Sequence, residues 1–130
     1  LESLVGGLNL TNVIFLPGFL ENPYRVLSKM DIFVSSSVYE GVSNAMLECL
    51  ALGLPVVATD CPSGVREIIS NNENGWLVKI DGNIINNLSD TMIHAMKNHM
   101  NIDMKTEKDK AYKKYNISFI MQKYNNIFLS

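Results

Sequence analysis

Charge is scarce in this chain: 18% of its 130 residues are Asp, Glu, Lys or Arg, and they leave a formal net charge of −2. That balance offers no basic field for nucleic acid or for an anionic membrane. Cysteine is scarcer still, with Cys49 and Cys61 alone. Their positions match neither a metal-ligand spacing nor a disulfide framework, and they point to free thiols in a reducing, cytoplasmic setting. Cys49 lies in an apolar run, where a thiol packs as a small hydrophobe. No apolar stretch reaches the roughly 20 residues that cross a bilayer. No secretory leader is expected from "LESLVGGLNL", which begins mid-pattern like the tail of a helix, so the chain is expected to be a fragment. The glycine fingerprint of a dinucleotide site is missing, which argues against a dinucleotide-dependent oxidoreductase. His94 and His99 stand five apart, a poor spacing for sharing a helix face, so no metal site is expected.

What the chain has is apolar character, at 47% of residues. That is too much for disorder and suits one compact domain burying roughly two-thirds of its unfolded surface. "VIFLPG" (13–18) predicts a buried strand closed by a Pro-Gly turn. "NPYRVLSKM" (22–30) predicts a helix with Pro23 near its start and Val26, Leu27 and Met30 on one face. "DIFVSSS" (31–37) predicts a second strand. "SNAMLECLALG" (43–53) predicts a helix capped by Ser43 or Asn44 and stopped by Gly53. "PVVAT" (55–59) is a third strand with no water-facing side, "SGVREIIS" (63–70) a short helix, and "GWLVKI" (75–80) a fourth strand.

Strands that are apolar throughout and alternate with helices are the pattern of a parallel sheet covered on both faces, an α/β, Rossmann-like fold. From residue 83 the pattern is helical only. Ile84, Ile85, Leu88, Met92, Met96 and Met100 recur at helical spacing and predict a stripe that packs into the core. "KTEKDKAYKKY" (105–115) predicts a solvated helix, and "SFIMQKYNNIFL" (118–129) an amphipathic one. The expected organisation is a partial Rossmann-like unit over 1–82, followed by a C-terminal helical segment of the same domain over 83–130.

In open parallel sheets, ligands bind beyond the carboxyl ends of the strands. Residues 36–45 hold that place, after a strand and ahead of a helix. Gly41 lets the backbone approach a ligand. The N–H groups of Val42, Ser43, Asn44 and Ala45 would point outward with the helix dipole behind them, an arrangement that suits a phosphate. Glu40 has the wrong sign for phosphate and suits sugar hydroxyls, as an acceptor. Glu48 follows a little over one turn into the helix, roughly 6–8 Å along its axis. A nucleotide sugar, with hydroxyls at both ends and phosphates between, fits that layout. The residues alone equally allow a carboxylate favouring the helix N-terminus and another facing solvent.

"EGVSNAMLE", with its glutamates at 40 and 48, resembles the E-x7-E signature of the family-4 (group 1) retaining glycosyltransferases, whose fold is GT-B. "MDIFVSSS", "LALGLPVVATD", "CPSGVREII" and "NGWLV" agree with it, so the resemblance runs from about residue 10 to 82. "CPSGVREI" in particular is similar to bacterial members that build polysaccharide and O-antigen chains.

The resemblance implies that Glu40 is catalytic, contacting donor-sugar hydroxyls and stabilising the reacting hexose by charge and position rather than by attack. It implies main-chain amides of Gly41, Val42, Ser43 and Asn44 on the sugar and distal phosphate, Glu48 on the ribose hydroxyls, and Gly18 and Phe19 near the base. Where the family often carries Phe and then Gly after Gly41, this chain has Val42 and Ser43. The implied reaction moves a sugar from a UDP-linked donor to an acceptor hydroxyl, with retention and with no metal or other cofactor. The resemblance also implies missing parts. The strands here match the third to sixth of the family's second domain. Two central strands carrying an Arg and a Lys for the diphosphate, and a whole N-terminal domain, are absent from the sequence. That N-terminal domain would bind the acceptor glycan or lipid-linked sugar, in a full-length protein peripheral to the inner membrane face. The chain is therefore expected to supply the donor-binding half and to be inactive alone. The alternative is a non-catalytic or degenerate fragment.

Overall fold

A β-branched run at the centre organises the structure, a computed structural model that describes residues 1–62 and 64–128. Strand β2, Val56–Thr59, is buried along its whole length. It pairs in parallel with β1, Phe33–Ser35, on one side and with β3, Gly75–Val78, on the other. The register sets Val34 against Val57 and Val57 against Trp76. Around the sheet lie helices α1 (Glu2–Gly7), α2 (Tyr24–Leu27), α3 (Asn44–Leu52), α4 (Val65–Ile68), α5 (Ile84–Asn98), α6 (Met104–Tyr115) and α7 (Ile117–Phe128). Ser63, expected as the first residue of the fourth helix segment, and Leu129, expected as the last of the closing helix, lie outside the described residues.

Strand alternation divides the core in two. Val56 and Ala58 point to one face, where Met46, Cys49 and Leu50 of α3 and Val65 and Ile68 of α4 meet them. Val57 points to the other, with Trp76, Val78 and Ala95 of α5. Helices on both faces explain why the strands are apolar except at their carboxyl ends, Ser35 and Thr59, and the α/β architecture read from the pattern is the one observed. Gly53 closes α3 in the left-handed conformation, φ 83°, and the Leu54 N–H reaches back to the Cys49 carbonyl at 2.9 Å.

Three expectations are corrected. Residues 13–18 form no strand: the N–H groups of Val13 and Ile14 turn back to the Leu10 carbonyl, and Phe15 is 80% exposed. An apolar run becomes a strand only against a partner ladder, and among the described residues no strand pairs with it. The methionine stripe is not core either, since Met96 and Met100 are 66% and 83% exposed. Helix α5 buries Ala95 and half-buries Leu88, while Met92 and Met96 overlook a hollow of about 260 Å³ beside Met30, Ile32 and Val34. The core-facing arc of α5 is thus narrower than its apolar stripe. Finally, α6 is not merely solvated. Met104 and Ala111 pack on the α3 side of the core, and Glu107 is buried with the Lys110 ammonium at 2.6 Å.

Candidate functional site

Strands β1 and β2 end side by side at Ser35 and Thr59, paired one residue earlier as Ser35 with Ala58. The segment 36–43 leaves β1 there and delivers the chain to the start of α3. Its conformation is fixed from the strand ends. The Thr59 hydroxyl donates to the Ser37 carbonyl and lies 3.5 Å from that of Ser35. The Ser37 hydroxyl donates to Glu40 Oε2 at 3.0 Å. The Glu40 carboxylate therefore stands half-buried at the carboxyl end of the sheet, immediately before the helix.

Of the two capping candidates, Ser43 takes the N-cap position, with extended backbone and no side-chain hydrogen bond to the first turn. It is buried, whereas Gly41, Val42, Asn44 and Ala45 are exposed. The first amides of α3 have no carbonyl partner inside the helix, so this exposed turn presents donors and the positive end of the dipole. Glu48 follows on the helix face turned away from the core, since Met46, Cys49 and Leu50 take the inward face. It borders an apolar hollow of about 300 Å³ with Leu47, Ala51, Tyr112 and Tyr115. Burial, reinforced by the Glu48 carboxylate, pushes the neighbouring Cys49 thiol up to about 11 and leaves it unreactive at neutral pH.

The loop after β2 braces the same segment. Arg66 makes a two-pronged pair with Asp60, at 2.6 and 2.5 Å, which holds the Asp60 carboxyl below the usual carboxylate range. Between them Gly64 turns with φ +59°, and a Cβ there would strike the Gly41 carbonyl and come within 2.9 Å of the Val42 nitrogen. Only glycine fits that contact. Sequence reasoning singled out Glu40–Asn44 and Glu48 but missed Ser37, Thr59 and Gly64. Thr59 was the one polar residue in an otherwise apolar strand, which was the available signal.

Gly18 and Phe19 are placed differently. Gly18 turns with φ 68° in an exposed segment, Phe19 is 92% exposed, and no hydrogen bond among the described residues ties them to the Glu40 loop. Of the two histidines, His94 meets Trp76 edge-on at 6.1 Å, and His99 lies 3.9 Å from Asp31. No group of three His, Cys, Asp or Glu able to hold a metal ion occurs among the described residues, and no described helix is long and apolar enough to cross a membrane.

Residues 1–98 match the family model "Glycosyl transferases group 1". The N-acetylgalactosamine-N,N'-diacetylbacillosaminyl-diphospho-undecaprenol 4-alpha-N-acetylgalactosaminyltransferase of Campylobacter jejuni is 43% identical over 81 residues, 62% of this chain and 22% of that protein. The poly(ribitol-phosphate) alpha-N-acetylglucosaminyltransferase of Staphylococcus aureus is 32% identical over 124 residues, 94% of this chain and 25% of that protein. The chain thus spans about a quarter of the length of these curated relatives. Among solved structures, the pneumococcal O-GlcNAc transferase GtfA in complex with UDP and GlcNAc superposes with a TM-score of 0.83 at 18% identity. It covers 97% of this chain and 26% of that one, which shows a shared fold. A parallel sheet sandwiched by helices, with a GT-B likeness and a family match over most of its length, makes this chain a member of the group 1 glycosyltransferases.

Proposed function

We propose that this chain is the donor-binding half of a retaining glycosyltransferase of bacterial cell-surface polysaccharide synthesis. It would take a UDP-linked sugar and present it for transfer to an acceptor hydroxyl. The observation that carries this reading is Glu40, held by Ser37 at the carboxyl end of the sheet, directly ahead of the exposed first turn of α3. In this reading Glu40 accepts hydrogen bonds from the donor-sugar hydroxyls and stabilises the positive charge that grows on the reacting hexose. The amides of Gly41, Val42, Ser43 and Asn44 hold the sugar and distal phosphate. Oriented amides at a helix N-terminus offset charge on a departing diphosphate without a metal ion. Glu48, on the outer face one turn further, takes the ribose hydroxyls, and Gly18 and Phe19 take the base.

The acceptor, a glycan or lipid-linked sugar, would be bound by a separate N-terminal domain, on the cytoplasmic side and peripheral to the membrane. The lipid-linked acceptor named for the Campylobacter relative supports that class, and the UDP bound by GtfA supports the nucleotide. Calorimetric titration with UDP and UDP-sugars, with and without chelator, tests the proposal. Saturable binding that survives chelation and is lost in Glu48→Ala is the expected outcome. A second reading, a non-catalytic fragment, is favoured by the outer edge of β1, which no strand pairs among the described residues, and by the exposed run at 13–16. Absence of UDP binding would decide for it.

A further inference from the structure

A glutamate side chain has three rotatable bonds, and fixing it costs entropy that a loop residue must recover from its neighbours. Glu40 recovers it from a chain of contacts reaching into the core. Its carboxylate accepts from the Ser37 hydroxyl at 3.0 Å. The Ser37 carbonyl accepts from the hydroxyl of Thr59, which is 1% exposed at the end of the fully buried β2. Valine suits a buried parallel strand better than threonine, so the hydroxyl at 59 serves the chain as it leaves β1, at the Ser37 carbonyl and, 3.5 Å away, at that of Ser35. Gly64 closes the far side, against the Gly41 carbonyl and the Val42 nitrogen. The loop carrying the carboxylate is thus gripped by β2 from below and by the turn before α4 from the side.

We propose that Ser37 and Thr59 are positioning residues that aim the Glu40 carboxylate at the donor sugar. This rests on the reading of Glu40 given above. Ser37 acts on the carboxylate directly, and Thr59 acts one step back, through the backbone that carries Ser37. A hydrogen bond to a charged acceptor is stronger than one between neutral groups, so loss of the Ser37 hydroxyl has the larger effect.

The test compares affinity for UDP with affinity for UDP-N-acetylglucosamine, UDP-N-acetylgalactosamine and UDP-glucose, using the sugar nucleotide that wild type binds most tightly. Nucleotide contacts are common to all, so the ratio isolates the grip on the sugar. Ser37→Ala should lower that ratio about tenfold, the loss of one hydrogen bond to a charged group, with UDP affinity unchanged. Glu40→Gln should lower it similarly, and the double variant no further. Thr59→Val should lower it several-fold, Thr59→Ser should restore it, and amide exchange across 37–43 should rise about tenfold in Thr59→Val with β3 unaffected. A wild-type ratio of one for every sugar overturns the proposal, as does an unchanged ratio in Ser37→Ala or equal weakening of both ligands. Unchanged loop exchange in Thr59→Val overturns the part assigned to Thr59. Failure of wild type to bind UDP at all overturns the donor reading itself, and the proposal with it.

Discussion

Two apolar runs in this chain read alike and fold differently. "PVVAT" becomes the buried centre of the sheet, while "VIFLPG" lies exposed as irregular backbone. Both are short, β-branched or aromatic, and bounded by turn residues. The difference is in partners: Val56–Thr59 has a parallel neighbour on each side and a helix over each face, whereas residues 13–18 have no ladder to join among the described residues. Intrinsic preference sets which conformation a segment can take, and burial against neighbours decides whether it takes it.

The contrast can be broken most sharply with a buried charge. Val57→Asp places a carboxylate in a site that is 0% exposed, and should cost more than about 4 kcal/mol and abolish the cooperative thermal transition seen by circular dichroism. Phe15→Asp, on the exposed run, should leave that transition within about 0.5 kcal/mol of wild type and raise solubility. If the two variants behave alike, the exposed run is packed in solution.

Glycines give a second, smaller contrast. A Cβ at Gly75 would strike the Val56 carbonyl of β2, so Gly75→Ala should cost about 2–3 kcal/mol in urea unfolding. A Cβ at Gly6, in α1, would meet nothing within 4 Å, and Gly6→Ala should be neutral or stabilise by up to about 1 kcal/mol.

The smallest effect concerns acid. Asp60 has a lowered carboxyl pKa, held down first by its hydrogen bond from Arg66. A depressed folded-state value means that stabilisation is present above the unfolded value, about 3.9, and is lost as pH falls through the folded one. Asp60→Asn should therefore lower stability slightly at pH 7, because the pair is exposed to screening, and flatten the acid loss below about pH 4. Parallel acid titrations of wild type and variant check the sign.

The candidate site was legible where its chemistry is local. Glu40, Gly41, Ser43 and Glu48 stand in one short stretch whose strand-to-helix order follows from composition and a glycine stop. The tethers were not legible, because Thr59 and Gly64 reach the loop from 22 residues beyond Ser37 and from the turn before α4. A threonine in a strand and a glycine in a turn each have ordinary local explanations. The methionine stripe misled for a related reason: helical spacing shows that a face is apolar, not that anything covers it.

By itself, then, the sequence determined the alternation of strands and helices, the two-sided burial of β2 and the placement of two carboxylates around a helix start. Those depend on side-chain polarity at fixed local spacing. Only the tertiary structure decided which apolar segment pairs, which faces of α5 and α6 are covered, and how Glu40 is held. Each of these depends on contacts between residues far apart in the chain, whose free energy exists only once the sheet has brought them together.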